Sequence, residues 1–270
     1  MNIPWGRLLL LGACVYLLFI LIAWLYGRKI LFPIPDSSYH KTDGIIQIQA
    51  PSGNQISLTR SGNIKHPSIT IIYSHGNAED IGHLTSFFEK WKVKDWEIIA
   101  YDYPGYGLSD GVPTEQSCVE AIDTIYQYAI KDWGRLPESI VVWGRSLGTG
   151  PSCHLASTQK VAGLLLETPF LSAFRTVTEI PFLPWDYFNN LEKVKRITCP
   201  SLIIHGKLDE VVPFRHGKRL HQELSEPKKL LSFDEASHNN IESTGGKRYT
   251  LAIHEFIDNL ATSKVSLHDK

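Results

Sequence analysis

The sequence has few cysteines and no cluster of basic residues. Its 270 residues contain 27 Lys and Arg against 28 Asp and Glu, and the positive charges are scattered along the chain. Phosphate binding needs clustered Lys and Arg, so nucleic acid is not an expected partner. None of the cysteines has the CxxC spacing of a zinc or redox site, and we expect ordinary buried thiols and no metal or cofactor. The cysteines are Cys14, Cys118, Cys153 and Cys199.

Charge is also missing from one long apolar run, Leu8 to Tyr26, which has the sequence LLLLGACVYLLFILIAWLY. A helix of this length, rising about 1.5 Å per residue, would span about 28 Å, close to the ~30 Å hydrocarbon core of a bilayer. Trp5 and Trp24 lie near its ends, where interfacial aromatic residues are common. We therefore predict a single-pass membrane anchor over residues 8–26.

The predicted anchor follows a short tail (1–7) and precedes a linker (27–40), in which Pro33 and Pro35 end any helix. A cleaved signal peptide is the alternative interpretation, but its apolar region would be shorter and a small-residue cleavage site would follow. Basic residues flank both ends of the run, Arg7 on one side and Arg28 and Lys29 on the other. The side of the membrane that carries the rest of the chain therefore stays open.

Residues 41–262 have the length of one α/β domain, followed by a C-terminal tail (263–270). Continuous apolar runs alternate with helix-like segments, which predicts a mostly parallel sheet flanked by helices. The strands at 45–49 and 56–59 flank a Pro-Ser-Gly-Asn turn and are expected to form an antiparallel edge hairpin. The further strands are predicted at 69–74, 96–101, 140–143, 162–166, 201–205 and 229–233, and helices at 114–132, 147–157, 213–224 and 249–260.

A Gly-x-Ser-x-Gly pentapeptide, residues 144–148, directly follows the apolar strand at 140–143. This motif at the end of a buried strand is typical of a nucleophile elbow, a sharp turn from strand into helix that leaves the serine exposed above the sheet. The flanking glycines, Gly144 and Gly148, remove the Cβ atoms that so tight a turn excludes. Ser146 is therefore the candidate nucleophile.

A serine hydroxyl needs a histidine to accept its proton and a carboxylate to orient that histidine. In the α/β-hydrolase order both follow the serine, the acid before the histidine. His238 lies in a polar loop just after the last predicted strand and is the expected base. Asp209 follows the preceding strand and is the expected acid, ahead of its neighbour Glu210 and of Asp234 and Glu235. Of the other histidines between the serine and residue 262, four fall in helix-like segments and are expected to be packing or surface residues: His154, His216, His221 and His254. His205 ends a predicted strand and is a less favoured base than His238.

The oxyanion of an acyl-transfer intermediate needs two backbone N–H donors. One comes from the residue after the nucleophile, which is Leu147. The other is expected from the loop after the strand at 69–74, where Gly76 allows a close approach and Asn77 supplies the N–H. A simple strand-to-helix turn capped by Asp80 would account for the same loop, and both interpretations can hold together.

Five stretches of this chain resemble the membrane-associated α/β-hydrolase serine hydrolases. The resemblance is to the protein depalmitoylases in particular, and to the related lysophospholipases and monoacylglycerol lipases. The resemblance implies the α/β-hydrolase fold and the same roles for Ser146, Asp209 and His238, while Asp102 and Ser109 match structural positions. Those depalmitoylases attach through a cysteine-rich, acylated N-terminus, whereas this chain has an apolar run with a single cysteine. The matching stretches are 74–80, 101–107, 144–150, 202–206 with 209–210, and 237–241.

Substrate choice is expected to depend on residues 171–198, which separate two predicted strands and are too few for a large cap domain. Their aromatic side chains fit either a lid for an acyl chain or a helix packed on the core, and both interpretations stay open. The candidate substrate-binding residues are Phe174, Phe182, Trp185 and Tyr187, and Phe188 belongs to the same segment.

The sequence thus predicts a membrane-anchored serine hydrolase that cleaves an acyl ester or thioester of a lipid or a lipidated molecule. A peptidase with the same triad is one alternative, although prolyl-type peptidases carry an extra domain or a longer cap. A non-catalytic scaffold is another, although such proteins usually lose a member of the triad.

Overall fold

The buried apolar runs form strands, and eight strands among the described residues make up one sheet at the centre of the domain. The computed structural model describes residues 5–41, 44–92, 95–178 and 180–268, with side chains up to residue 262. The strands run in the order β1-β2-β4-β3-β5-β6-β7-β8 across the sheet. They are β1 (Ile46–Gln49), β2 (Gln55–Gly62), β3 (Ile69–Ser74), β4 (Trp96–Tyr101), β5 (Ile140–Arg145), β6 (Gly163–Glu167), β7 (Ser201–Gly206) and β8 (Lys228–Phe233).

Only the first two pairings in the sheet are antiparallel, β1 with β2 and β2 with β4. The other five pairings, which join β4, β3, β5, β6, β7 and β8 in that order across the sheet, are parallel. The predicted edge hairpin and the parallel sheet are therefore both confirmed. Every residue of β3, β4 and β7 is buried, as continuous apolar runs with helices on both faces require.

Seven α-helices among the described residues cover the sheet or extend from it. Thr114 caps one of them, because its hydroxyl accepts the N–H of Ser117 at 3.0 Å. The last helix is interrupted at Gly246 (φ 50°, ψ −128°). The helices are α1 (Trp5–Leu31), α2 (Thr85–Trp91), α3 (Glu115–Lys131), α4 (Thr149–Thr158), α5 (Asn190–Val194), α6 (Arg215–Glu223) and α7 (Ile241–His268).

Successive side chains along a strand point to opposite faces, and each face has its own core. Val142 on β5 packs on the face that α3 and α4 cover, together with Ile122. Val141 packs on the other face, which α2 and α7 cover, together with Trp91 and Ile253. The sheet is therefore packed between two layers of helices. The loops at the carboxyl ends of its strands are attached to this packed core.

The predicted membrane anchor lies inside α1, which is longer at both ends and is apolar and long enough to cross a membrane. The predicted linker differs from the structure: its first five residues continue the helix, and Phe32 and Tyr39 are buried in the domain. The predicted C-terminal tail also differs, because α7 continues to His268. Residues 1–4 and 269–270 of the two predicted tails lie outside the described residues.

The cysteines within the domain are free thiols. Cys118 and Cys153 are buried and Cys199 is half-buried, as expected, whereas Cys14 is exposed on α1. Burial raises the pKa of Cys153 to about 12, and that of Cys199 to about 11. These thiols are therefore packing groups, since a thiol with so high a pKa carries almost no thiolate at neutral pH.

Candidate active site

The chain turns sharply at the end of β5, where Ser146 has a φ of 50°. Non-glycine residues rarely adopt this left-handed conformation. A Cβ on Gly148 would lie 2.0 Å from the carbonyl oxygen of Ser74, and one on Gly144 would lie 2.4 Å from the carbonyl oxygen of Gly148. Both positions therefore require glycine, and the turn has the backbone of a nucleophile elbow.

The loops after β5, β7 and β8 bring the three predicted catalytic side chains together. The Nε2 atom of His238 lies 3.0 Å from the Oγ atom of Ser146. Its Nδ1 atom lies 2.8 Å from the Oδ2 atom of Asp209. One nitrogen of the imidazole thus faces a hydroxyl and the other faces a carboxylate, the geometry by which a histidine activates a serine.

Asp209 is buried and is held as a carboxylate by several donors. Its Oδ1 atom accepts the N–H groups of Val211 at 3.0 Å and Val212 at 2.7 Å. Burial alone would raise the pKa of Asp209, but hydrogen bonds from His205 and His238 and the N–H of Val212 outweigh it and hold the pKa well below its usual range. The carboxylate therefore stays charged throughout the range in which a histidine titrates.

The competing acids lie elsewhere. Glu210 is exposed, and Asp234 forms an ion pair with Lys207 at 2.7 Å at the surface. Glu235 is also exposed, and none of the three has a hydrogen bond to His238 among those of the described residues. The structure therefore pairs Asp209 alone of these four carboxylates with the histidine.

The remaining histidines are mostly packing residues, as the sequence predicts. His216 is buried in α6 and its Nδ1 atom accepts the N–H of Leu171 at 3.1 Å. His154 on α4 faces Asp123 on α3 at 3.2 Å. His254 packs on Trp91 and Trp96, and His221 is half-buried in α6. His205 differs, because its Nε2 atom lies 3.2 Å from Asp209.

A cavity of about 410 Å³ opens over Ser146 and His238. Asn77 lines this cavity. It lies on a loop in which two backbone carbonyls accept hydrogen bonds from tyrosine hydroxyls. Tyr103 donates to the carbonyl of His75 at 2.6 Å, and Tyr106 donates to that of Asn77 at 2.9 Å. Leu147, the residue after Ser146, is buried. The lining residues are Gly76, Asn77, Ala78, Glu79, Arg145, Ser146, Val211, His238 and Asn239.

Arg145, the second residue of the elbow, joins the loops around this cavity. Its guanidinium donates to Glu79 at 2.9 Å and to Asn239 at 3.0 Å, and it lies 3.5 Å from Glu167. Burial on its own would lower the pKa of Arg145, but the charges of Glu167 and Glu79 raise it. No role for Arg145 was predicted from the sequence, although a charge inside the elbow is a signal, because a partly buried cation needs partners.

The four candidate substrate-binding aromatics do not line the cavity. Phe174 packs edge-to-face on Tyr187 with ring centroids 5.4 Å apart. Phe182 contacts α1, and Trp185 is half-buried. Phe188, from the same segment, is fully buried against Gly150 of α4. The structure thus distributes this segment between the core and α1, and the role of these aromatics in substrate binding stays a prediction.

Asp102 and Ser109, which match structural positions in the resemblance, are buried in the loop that follows β4. Asp102 accepts the hydroxyl of Tyr39 and the N–H of Ile81, the latter at 2.9 Å. Ser109 donates to the carbonyl of Asp102 at 3.1 Å and accepts the N–H of Ser57 at 2.9 Å. Both side chains therefore connect loops to the sheet.

Solved structures of similar fold include several esterases. The esterase Pf2001 of Pyrococcus furiosus superposes with a TM-score of 0.71 at 15% identity, over 85% of this chain and 99% of that one. The monoacylglycerol lipase of Paleococcus ferrophilus superposes with a TM-score of 0.59 at 20% identity, over 77% and 98%. At these identities the likeness establishes the α/β-hydrolase fold.

Sequence comparison gives closer relatives. Residues 65–185 match the hydrolase family described as serine aminopeptidase, S33. The chain is 34% identical over 208 residues to the α/β-hydrolase domain-containing protein aho-3 of Caenorhabditis elegans, covering 76% of this chain but only 62% of that protein. It is also 34% identical over 209 residues to the human α/β-hydrolase domain-containing protein 17B, covering 76% of this chain and 72% of that protein. The chain therefore belongs to the α/β-hydrolase domain-containing protein family that includes 17B, and it is an α/β hydrolase.

Proposed function

We propose that this chain is a membrane-anchored serine hydrolase that cleaves an acyl ester or thioester, with Ser146 as nucleophile, His238 as base and Asp209 as acid. The observation that carries the proposal is the continuous pair of contacts from Asp209 through His238 to Ser146, at 2.8 and 3.0 Å. The cavity above the serine gives a substrate access to it.

The reaction begins when the Oγ atom of Ser146 attacks the carbonyl carbon and its proton passes to the Nε2 atom of His238. The imidazolium is stabilised by the carboxylate of Asp209 at its Nδ1–H. When the intermediate collapses, the bond to the leaving alcohol or thiol breaks, and the proton of His238 passes to that group. Water then attacks the acyl-enzyme with the same histidine as base, and the acid product leaves.

The N–H groups of Asn77 and Leu147 are the proposed oxyanion donors. Asn77 lines the cavity on a loop that Tyr103 and Tyr106 hold in place, and Leu147 directly follows the nucleophile. Donors that are already fixed cost little reorganisation when negative charge develops on the carbonyl oxygen.

The proposed substrate is a lipid or a lipidated molecule of the membrane that α1 enters. Support comes from α1 itself, whose residues 8–26 carry no charge and which continues directly into the buried Phe32 of the domain. The charged groups of the cavity, Arg145 and Glu79, are paired with each other. An uncharged acyl carbonyl therefore suits the cavity better than a substrate that needs a free ionic partner.

A serine peptidase is the second candidate, favoured by the description of the family that matches residues 65–185. Both candidates use the same triad, so the leaving group distinguishes them. Turnover of aminoacyl amides without turnover of esters or thioesters would favour the peptidase.

The test is labelling of the full chain in detergent micelles by a fluorophosphonate probe. We expect wild-type protein to be labelled, Ser146→Ala to be unlabelled and His238→Ala to be labelled much more slowly. Circular dichroism checks that each variant is folded. A panel of short- and long-chain esters, thioesters, lysophospholipids and aminoacyl amides then identifies the leaving group. Labelling of Ser146→Ala at the wild-type rate contradicts the assignment.

A further inference from the structure

The segment that follows β6 carries a short apolar loop on the outside of the domain. Residues 180–185 have the sequence Ile-Pro-Phe-Leu-Pro-Trp and contain no charge. Ile180 is 66% exposed and Phe182 is 46% exposed, and the nearby Val177 is 85% exposed. Large apolar side chains grouped in this way, outside a core, mark a surface that contacts something other than water.

This loop packs along α1. The ring of Phe182 meets those of Tyr16 and Phe19 edge-to-face, with centroids 5.2 and 5.4 Å apart. Phe174, which precedes the loop in the same segment, also contacts α1. A Cβ on Gly27 would lie 3.0 Å from its ring. Tyr16 and Gly27 are about 16 Å apart along a helix that rises about 1.5 Å per residue. The segment therefore extends from the domain end of α1 to about its middle.

The backbone of the loop is hydrogen-bonded to α1 and has few donors. The carbonyl of Phe182 accepts the hydroxyl of Tyr16 at 2.9 Å. Pro181 and Pro184 have no N–H to satisfy. Irregular backbone is tolerated at membrane depth only where its polar groups find partners in the protein. Here the carbonyl of Phe182 has such a partner in α1, and the two prolines leave the loop four N–H groups instead of six.

We propose that the loop Ile180–Trp185 enters the bilayer alongside α1 and holds the catalytic edge of the sheet against the membrane. This inference rests on the proposed anchoring of the chain by α1. If α1 crosses the membrane over residues 8–26, Phe182 lies beside the middle of the span, because Tyr16 is close to its centre. Trp185 then lies nearer the domain, where an indole prefers the interface.

The lipid bilayer is the occupant that the structure favours over a second protein molecule. The apolar surface of the loop is continuous with that of α1, on which Leu9 and Ile30 are each 74% exposed. The same segment leaves β6 at its carboxyl end, the edge at which Ser146 follows β5. An acyl group of a molecule embedded in the leaflet nearest the domain would therefore lie near the cavity without leaving the membrane.

The test measures the depth of the loop in phosphatidylcholine vesicles that contain the full chain. Cys14 and Cys199 are replaced by serine, and an environment-sensitive NBD fluorophore is attached at Ile180→Cys. Phosphatidylcholines with a doxyl group on the acyl chain quench fluorophores inside the bilayer. The matched control is Leu136→Cys, which is 45% exposed and precedes β5 at the opposite edge of the sheet.

We expect a blue-shifted emission and loss of fluorescence with doxyl lipids at position 180, and neither at position 136. Equal, weak quenching at both positions would overturn the proposal. A blue shift at position 180 without quenching would also overturn it, since a second copy of the chain would then cover the loop.

A functional measurement separates this inference from the proposed hydrolase activity. Ile180→Asp is expected to lose turnover of a long-chain thioester embedded in the vesicles and to keep turnover of a water-soluble short-chain ester, whereas Leu136→Asp keeps both. Vesicle turnover by Ile180→Asp at the wild-type rate would contradict insertion. If the wild-type protein turns over neither substrate, the hydrolase proposal fails, while the quenching result still decides the position of the loop.

Discussion

His205 lies beside the proposed catalytic acid, with its Nε2 atom 3.2 Å from the Oδ2 atom of Asp209 and 2.8 Å from the carbonyl oxygen of Val212. Both neighbours are acceptors, so Nε2 carries the hydrogen. The imidazole is fully buried, and a Cβ on Gly217 of α6 would lie 2.3 Å from its Nδ1 atom. His205 is therefore fixed as a second donor to the carboxylate that orients His238.

Replacing His205 by leucine should lower kcat, because the carboxylate loses a donor and with it part of its fixed position. A hydrogen bond to a charged group contributes about 1.5–3 kcal/mol, and a loss of about 1.4 kcal/mol at the transition state is tenfold in rate. We expect about a tenfold drop in His205→Leu, with a greater loss at acid pH because Asp209 is protonated more readily. His205→Gln retains an N–H donor and should recover most of the activity. Equal losses in both variants at every pH would indicate a purely structural role.

Replacing Asp209 by asparagine should lower kcat by about four orders of magnitude, the usual effect of giving the histidine the wrong tautomer. The protein should remain folded, since an amide oxygen can still accept the N–H groups of Val211 and Val212. The matched control is Glu210→Gln, which alters an exposed neighbour. A large loss in Glu210→Gln with little loss in Asp209→Asn would reassign the acid.

Alanine at Gly148 should destabilise the protein by about 3 kcal/mol, the upper end of the usual cost of overpacking. Its Cβ would meet a backbone oxygen, that of Ser74, which cannot move without disrupting β3. Alanine at Gly163 is the comparison, because the nearest atom there is the flexible end of Leu260. Its cost should be about 1 kcal/mol. Urea unfolding of both variants in micelles measures the difference, and equal midpoints would contradict the argument.

The parts of the fold and site that the sequence predicted are those that depend on local patterns. Continuous apolar runs set the strands because both faces of the sheet are covered, and β3 and β4 have the predicted bounds. The elbow has a local signature as well, and the chain order of the fold then points to Asp209 and His238. In the structure His238 lies between Asp209 and Ser146, at 2.8 and 3.0 Å.

The parts that the sequence did not predict depend on contacts between distant residues. Tyr16 and Phe182 are 166 positions apart, and no periodicity connects them. For Phe188 the sequence left a lid and packing on the core both open, since a segment without regular structure gives no pattern of faces, and the structure buries this side chain fully. His205 was placed at the end of a strand and given no role, since that position does not show that the loop after β7 folds back onto the imidazole.

The buried neutral His216 should make the stability of the protein depend on pH. Burial lowers its pKa to about 4, with smaller effects from the charges of Arg215, His205 and Arg175. An unfolded histidine titrates near about 6.5. Between these values the unfolded chain binds more protons than the folded one, so stability is complete above about pH 6.5 and falls as the pH decreases towards 4.

The slope from this one group is at most about 1.4 kcal/mol per pH unit. His216→Asn keeps an oxygen that can accept the N–H of Leu171 but has no proton to bind. Urea midpoints at pH 7 and pH 5 should therefore fall further apart in the wild type than in this variant. If both proteins lose the same stability on acidification, the imidazole of His216 is protonated in the folded state, and its contact with Leu171 is not maintained at the lower pH.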